Sequence, residues 1–264
     1  DTQYDDEIDL RELFGVLWAG SRKIIAITAV FAFVSVIYAL SVPNQYQATT
    51  LLAPAQSDSS DLSGALGQLG GLASLAGVSI GGGESSEGQI AQEIMKSWSF
   101  IEGFIAENNI AVEVYAAQGW SRGSNELQID DDLYDAETKT WLVENDNTGE
   151  VGPPSSWKLY ESFSQKLAVS EDKRLGLVSV SIEYYSPQLA KQWLDIYVAA
   201  INAHMQQRQM TKVTNNINYL EAQIEKTSIA EMREVFYTII EGQMKNKMLT
   251  EASPEYAFVT VSPS

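Results

Sequence analysis

The chain contains no cysteine, which excludes disulfides and thiolate metal sites and permits an oxidising compartment without requiring one. It has one histidine, His204, set in the polar stretch AAINAHMQQRQ, where a solvent-facing position fits better than a catalytic base. No HExxH, GxSxG or GxxxxGKS/T string occurs. Carboxylates are plentiful, but no local motif singles out a pair, so the reading assigns no catalytic, cofactor-binding or metal-binding residue. Cations are scarce: 17 Lys and Arg stand against 35 Asp and Glu, a formal charge of -18. That balance argues against a broad nucleic-acid or anionic-headgroup surface. Acid is densest from Asn125 to Asp172, where twelve carboxylates are offset only by Lys139, Lys158 and Lys166, and it reads as a solvated face.

What the chain does have is a long apolar run. Ile24 to Val42 gives nineteen residues without a charge, and roughly 20 helical residues span a bilayer core of about 30 Å. Thr28, Ser35, Tyr38 and Ser41 can bond back onto their own helix. A cleaved export signal would be shorter, about 7–15 apolar residues after a basic start, whereas this run follows a segment rich in acid. Arg11, Arg22 and Lys23 precede the run and no Lys or Arg follows until Lys96. The cation bias therefore predicts a cytoplasmic N-terminus, with everything from Pro43 onward across the membrane. Arg22, Lys23 and Trp18 are the candidate topology anchors. EIDLRELFGVLWAG, residues 7–20, fits a short interfacial helix with Trp18 at headgroup level, or else a continuation of the span.

Beyond the run, QYQATTLLAP (45–54) predicts a strand. Residues 62–83 hold eight glycines, five leucines and no charge. They lack the Lys-Ser/Thr of a phosphate loop, and the alternatives are an apolar loop or short helices covering a core edge or a neighbouring subunit, or a weak second span. Ile90, Ile94, Trp98 and Ile101 predict one amphipathic helix over 85–109. Around RGSN and NDNTGEVGPP the reading is two short strands or a hairpin, without clean alternation to support either, and WKLYESFSQKLAV (157–169) predicts a short helix. LGLVSVSIEYYSP (175–187) alternates as a strand. Ser186-Pro187 then gives an N-cap and first-turn proline, and only one glycine and no proline intervene before Pro254, which predicts a long helical region. Leu189, Trp193, Ile196, Ala200 and later Val213, Ile217, Leu220, Ile224 repeat with a coiled-coil-like period, suiting a packed helix pair broken near Thr227-Ser228. In the second helix Ile229, Met232, Phe236, Ile239 and Ile240 share one side. PEYAFVTVSP (254–263) predicts a strand returning to the sheet.

The order of these parts resembles a family. IDLRELFGVLWAGSRKI before the span, a strand after it, LGQLGGLASLAG, EIMKSWSFIEGFI, GLVSVSIEYYSPQLAKQWLDIYVAAIN and IAEMREVFYTIIEGQMKNKMLTEASPEYAF together look like the Wzz-type chain-length determinants, the polysaccharide co-polymerases of the Gram-negative inner membrane. The resemblance implies an α+β, membrane-anchored fold. Its parts would be a cytoplasmic segment (1–23), a transmembrane helix (24–42), a mixed α/β periplasmic base (43–186), a long helical arm (187–252) and a returning strand (253–264). It implies a regulator of O-antigen chain length, not an enzyme, that forms a ring homo-oligomer and acts on a separate membrane polymerase. Lipid-linked glycan and the bilayer are the other implied partners, with no nucleic acid and no cofactor. A second membrane helix is expected beyond Ser264. Trp193, Tyr197 and Ile201 are expected at a base or subunit contact, and Gln206 to Asn216 on a solvent-facing arm. Two rival readings stand beside this one: a capsule or exopolysaccharide co-polymerase, and an anchored periplasmic sensor or adaptor, for whose signalling domain the 23 residues ahead of the run leave little room.

Overall fold

The computed structural model describes residues 10–55, 83–145 and 149–264. They fall into two units, one ending at Asn44 and one running from Gln45 to Ser264. Among the described residues the first unit is one unbroken helix, α1 (Leu10–Ser41), so of the two alternatives for residues 7–20, from Leu10 onward the continuation of the span holds. Residues Ser21–Leu40 of α1 are long and apolar enough to cross a membrane. Residues 22–40 are exposed on every side of the helix. A helix that packs on a soluble core carries an apolar stripe, whereas one apolar all round suits lipid or the core of a large protein.

The second unit is built on a four-stranded antiparallel sheet of order β6-β7-β1-β8, with β1 at Tyr46–Pro54, β6 at Leu167–Asp172, β7 at Leu177–Tyr184 and β8 at Phe258–Ser262. The alternation read from LVSVSIEY sets its inner face. Val178, Val180, Ile182 and Tyr184 are buried, and the register puts Leu52, Thr50 and Ala48 opposite the first three and Leu167 and Val169 opposite Ile182 and Val180. The β6–β7 turn is closed by Asp172, whose carboxylate accepts from Arg174 N–H at 2.9 Å, and by Gly176 at φ 67°, a conformation glycine adopts without steric cost.

Four short helices surround this face: α2 (Gly83–Lys96), α3 (Trp98–Asn108), α4 (Ala111–Tyr115) and α5 (Ser156–Ser164). The helix expected over 85–109 is in fact α2 and α3. Ser97 divides them: its hydroxyl donates to Ile94 C=O at 2.7 Å and accepts from Phe100 N–H at 3.4 Å, ending one helix and capping the next. The helix expected over 157–169 stops at Ser164, and Leu167 and Val169 join β6 instead, because pairing with β7 outweighs local helical spacing. The region from Ala117 to Trp141 forms two small hairpins, β2 (Ala117–Ser121) with β3 (Glu126–Ile129) and β4 (Tyr134–Asp135) with β5 (Thr140–Trp141). The glycine-rich stretch lies outside the described residues up to 82, where α2 takes over.

Two long helices complete the unit, α6 (Pro187–Lys226) and α7 (Ala230–Glu251). Ser186 caps α6, accepting from Leu189 N–H, and Pro187 sits in its first turn. At 40 residues and 1.5 Å per residue, α6 is about 60 Å long. Its first half lies on the sheet and buries Ala190, Trp193, Leu194, Tyr197, Val198, Ile201 and Met205. Its second half pairs with α7, which returns antiparallel after the break at Thr227 and buries Ile240 and Thr250 near Val213 and Ile224 of the shared seam.

Candidate functional site

Trp193, Tyr197 and Ile201 stand one turn apart on the inner face of α6, and a single chain buries all three. Trp193 lies against Tyr184 with ring centroids 4.3 Å apart, and Tyr197 meets Phe104 edge to face at 4.8 Å and Phe163 at 5.6 Å. Tyr197 also donates its hydroxyl to Met95 C=O, and Tyr184 donates to Glu113 C=O at 2.6 Å. Burial holds both phenols above the ordinary tyrosine range, helped in Tyr184 by the negative charge of Glu113. These side chains form the joint between helix, sheet and α2 to α5; packing within one chain accounts for their burial.

Next to Ile201 on α6, Asn202 locks the last strand in place. Its amide nitrogen donates to Phe258 C=O at 3.0 Å, and its oxygen accepts from Ala257 N–H at 2.9 Å and Phe258 N–H at 2.8 Å. The neighbouring ladder bond to β1 uses Ala55 N–H and Ala257 C=O, which leaves both peptide groups of Phe258 to Asn202. Gln206 then donates to the carbonyls of Thr250, Glu251 and Ser253, satisfying the end of α7. The stretch from Gln206 to Asn216, expected to face solvent throughout, is mixed: Gln207, Arg208 and Asn216 are exposed, while Gln206 is half-buried and Val213 is in the seam. His204 is exposed and meets Phe100 edge to face at 5.5 Å.

The apolar arc of α7 is wider than α6 can cover. Ile240 is buried, but Met232, Val235 and Ile239 are exposed on one shoulder of the seam, and Tyr237, Met244 and Met248 on the other. A groove along the second shoulder is lined by Ala230, Arg233 and Tyr237, with Glu234 and Glu241 beside it. Ile229, Met232, Phe236, Ile239 and Ile240 share one side by helical spacing, yet of these Ile229, Met232 and Ile239 are uncovered. The signal was the width of the arc: a helix with one partner needs an apolar stripe of about 100°, and this one exceeds it.

The remaining anchors lie on α1, where Arg22 and Lys23 are exposed and Trp18 stands 84 % exposed. On the sheet unit, Arg122 of the β2–β3 turn donates to Tyr46 hydroxyl at 2.8 Å, and Tyr46 meets Trp120 edge to face at 5.8 Å, pinning that hairpin to β1. Asp135 accepts from Thr138 and Glu137 N–H and from the Thr138 hydroxyl, and these bonds, the hydroxyl foremost, hold its carboxyl below the usual range.

Comparison with curated proteins finds no match. Residues 6–108 match the family described as chain length determinant protein, Wzz. The matched residues cover α1, β1, α2 and α3, which are the apolar helix and the first elements of the sheet unit. Proteins of this family regulate polysaccharide chain length and are not enzymes. Over residues 6–108, the apolar helix and the first elements of the sheet unit, this chain is similar to the Wzz chain length determinant family.

Proposed function

We propose that the chain regulates O-antigen chain length as an oligomeric co-polymerase of the bacterial inner membrane, acting on a separate polymerase. Residues 1–23 lie in the cytoplasm, 24–42 span the bilayer, and 43–186 with the helical pair of 187–252 face the periplasm. The observation that carries this reading is the family match over residues 6–108, which includes an apolar helix exposed on all sides. The cation bias at Arg22 and Lys23 supports the orientation.

The two uncovered shoulders of α7 support assembly. They lie on opposite sides of one seam and differ in composition, Met232, Val235 and Ile239 against Tyr237, Met244 and Met248. Contacts of unlike patches between identical subunits are heterologous, and heterologous contacts form rings where the rotation between subunits closes. A ring makes weak contacts to a polymerase or glycan act together. Regulation of chain length then needs no bond-making group on this chain.

Deleting the gene and resolving the cell's lipopolysaccharide by gel electrophoresis tests the reading. The expected result is loss of the modal cluster of chain lengths, restored by the wild-type gene. An unchanged ladder with altered capsule size would transfer the function to capsule or exopolysaccharide, and no change in either would refute it.

A further inference from the structure

We infer that Trp98, Trp157 and Tyr160 form a saccharide-stacking platform on the sheet unit, an inference that rests on the polysaccharide role proposed above. Trp98 and Trp157 are 46 % and 58 % exposed, although tryptophan is the side chain with most to gain from burial. Their rings meet at 6.3 Å and 68°, and Trp157 meets Tyr160 at 5.2 Å and 43°. Two surface indoles set at a steep angle present ring faces to solvent as a corner. The faces of a pyranose carry C–H groups with slight positive charge, which sit over the negative face of an aromatic ring. Its hydroxyls project around the rim and need polar partners.

Those partners are present. Trp120 gives its indole N–H to Asn125 at 3.2 Å, whereas among the described residues neither Trp98 nor Trp157 has an acceptor for its own. The exposed pair Glu93 and Lys96, 3.4 Å apart, ends the helix that leads into Trp98 and adds an acceptor and a donor without net charge. The platform is also rigid before any ligand arrives. Trp98 opens α3 behind the Ser97 cap, and Trp157 lies in the first turn of α5 behind Ser155, which accepts from Lys158 N–H at 3.4 Å. The Tyr160 hydroxyl reaches Lys96 C=O at 3.3 Å and ties the two helix starts together. Rings held this way lose little freedom on binding.

Charge and composition separate this patch from other uses. An anionic lipid surface would want Lys and Arg, and the chain carries a net charge of -18 with a balanced ion pair at this spot. A protein contact of the kind α7 offers is aliphatic and methionine-rich, whereas this corner is aromatic.

The test uses the full chain in detergent and, as probe, lipid-free polysaccharide released by mild acid from the producing strain's lipopolysaccharide, with affinity read by titration calorimetry. W98A and W157A are expected to weaken binding at least tenfold, W157F to stay within threefold of wild type, and W120F to leave it unchanged, all with wild-type circular dichroism. Equal affinity in every variant, or no binding by wild type, overturns the inference. So does quenching of Trp157 by brominated lipid in vesicles, or a fall in oligomer mass in W157A, because these assign the rings to the membrane or to a second copy. A wild-type-like affinity in W157A beside a gene deletion that alters chain length sinks the platform alone. An unaltered ladder sinks the function itself.

Discussion

Replacing Asn202 with alanine removes the side chain that hydrogen-bonds the start of β8 to α6. Three hydrogen bonds disappear, at 2.8, 2.9 and 3.0 Å, and leave two backbone N–H groups and one carbonyl unpaired in a buried setting. A hydrogen bond of this kind contributes about 1 kcal/mol net, so the loss is about 3 kcal/mol. For a body of this size that corresponds to a fall in Tm of roughly 6–12 °C. Urea denaturation of the detergent-solubilised chain, followed by tryptophan fluorescence, reads the loss as a lower midpoint at constant slope. Amide hydrogen exchange localises it: protection at Ala257 and Phe258 should fall more than at Val180 and Ile182 in the sheet centre. A destabilisation under about 0.5 kcal/mol, with protection at Phe258 unchanged, would refute the lock.

The buried phenols predict an alkaline limit: with folded-state pKa values raised above the unfolded value of about 10, Tyr184 and Tyr197 contribute fully below that pH and lose stability as pH rises through it. Absorbance titration should therefore show these two ionising only as the chain unfolds, and Tyr197→Phe should flatten the decline; ordinary ionisation in the folded protein contradicts it. On α7, Met244→Asp with Met248→Asp should lower the oligomer mass measured by light scattering while circular dichroism stays constant, and an unchanged mass would show that this shoulder binds no neighbour.

Most of the frame was readable because it rests on strong local signals. Val178 to Tyr184 alternate, Ser186-Pro187 caps a helix, and Thr227 separates two apolar stripes, so β7, α6 and α7 follow from the residues themselves. The failures share a cause. Leu167 and Val169 fit a helix by spacing, and only the distant residues Ile182 and Val180 make them a strand. Ser97 interrupts an otherwise continuous pattern through one hydroxyl, and a serine can cap a helix or ride on its face. The β2–β3 and β4–β5 hairpins have little buried face, so hydrophobic alternation had nothing to record. The corner of Trp98 and Trp157 was out of reach for the same reason as β6: each residue reads as an ordinary helical aromatic, and their meeting depends on the packing of α3 against α5.

The position of β1 in the sheet has a consequence for how the chain is made. β1 is synthesised first among the strands, yet it lies between β7 and β8, and Thr50 bonds a carbonyl 212 residues later in the chain. At about 5–20 residues per second that partner emerges roughly 10–40 s after β1 does. Until β7 emerges both edges of β1 are open, and until β8 emerges one edge stays open beside Leu52, a ready template for pairing with another chain. Closure of the sheet is therefore a late event, and the nascent protein passes through an interval in which the safeguarding of one strand falls to chaperones or to the speed of the ribosome.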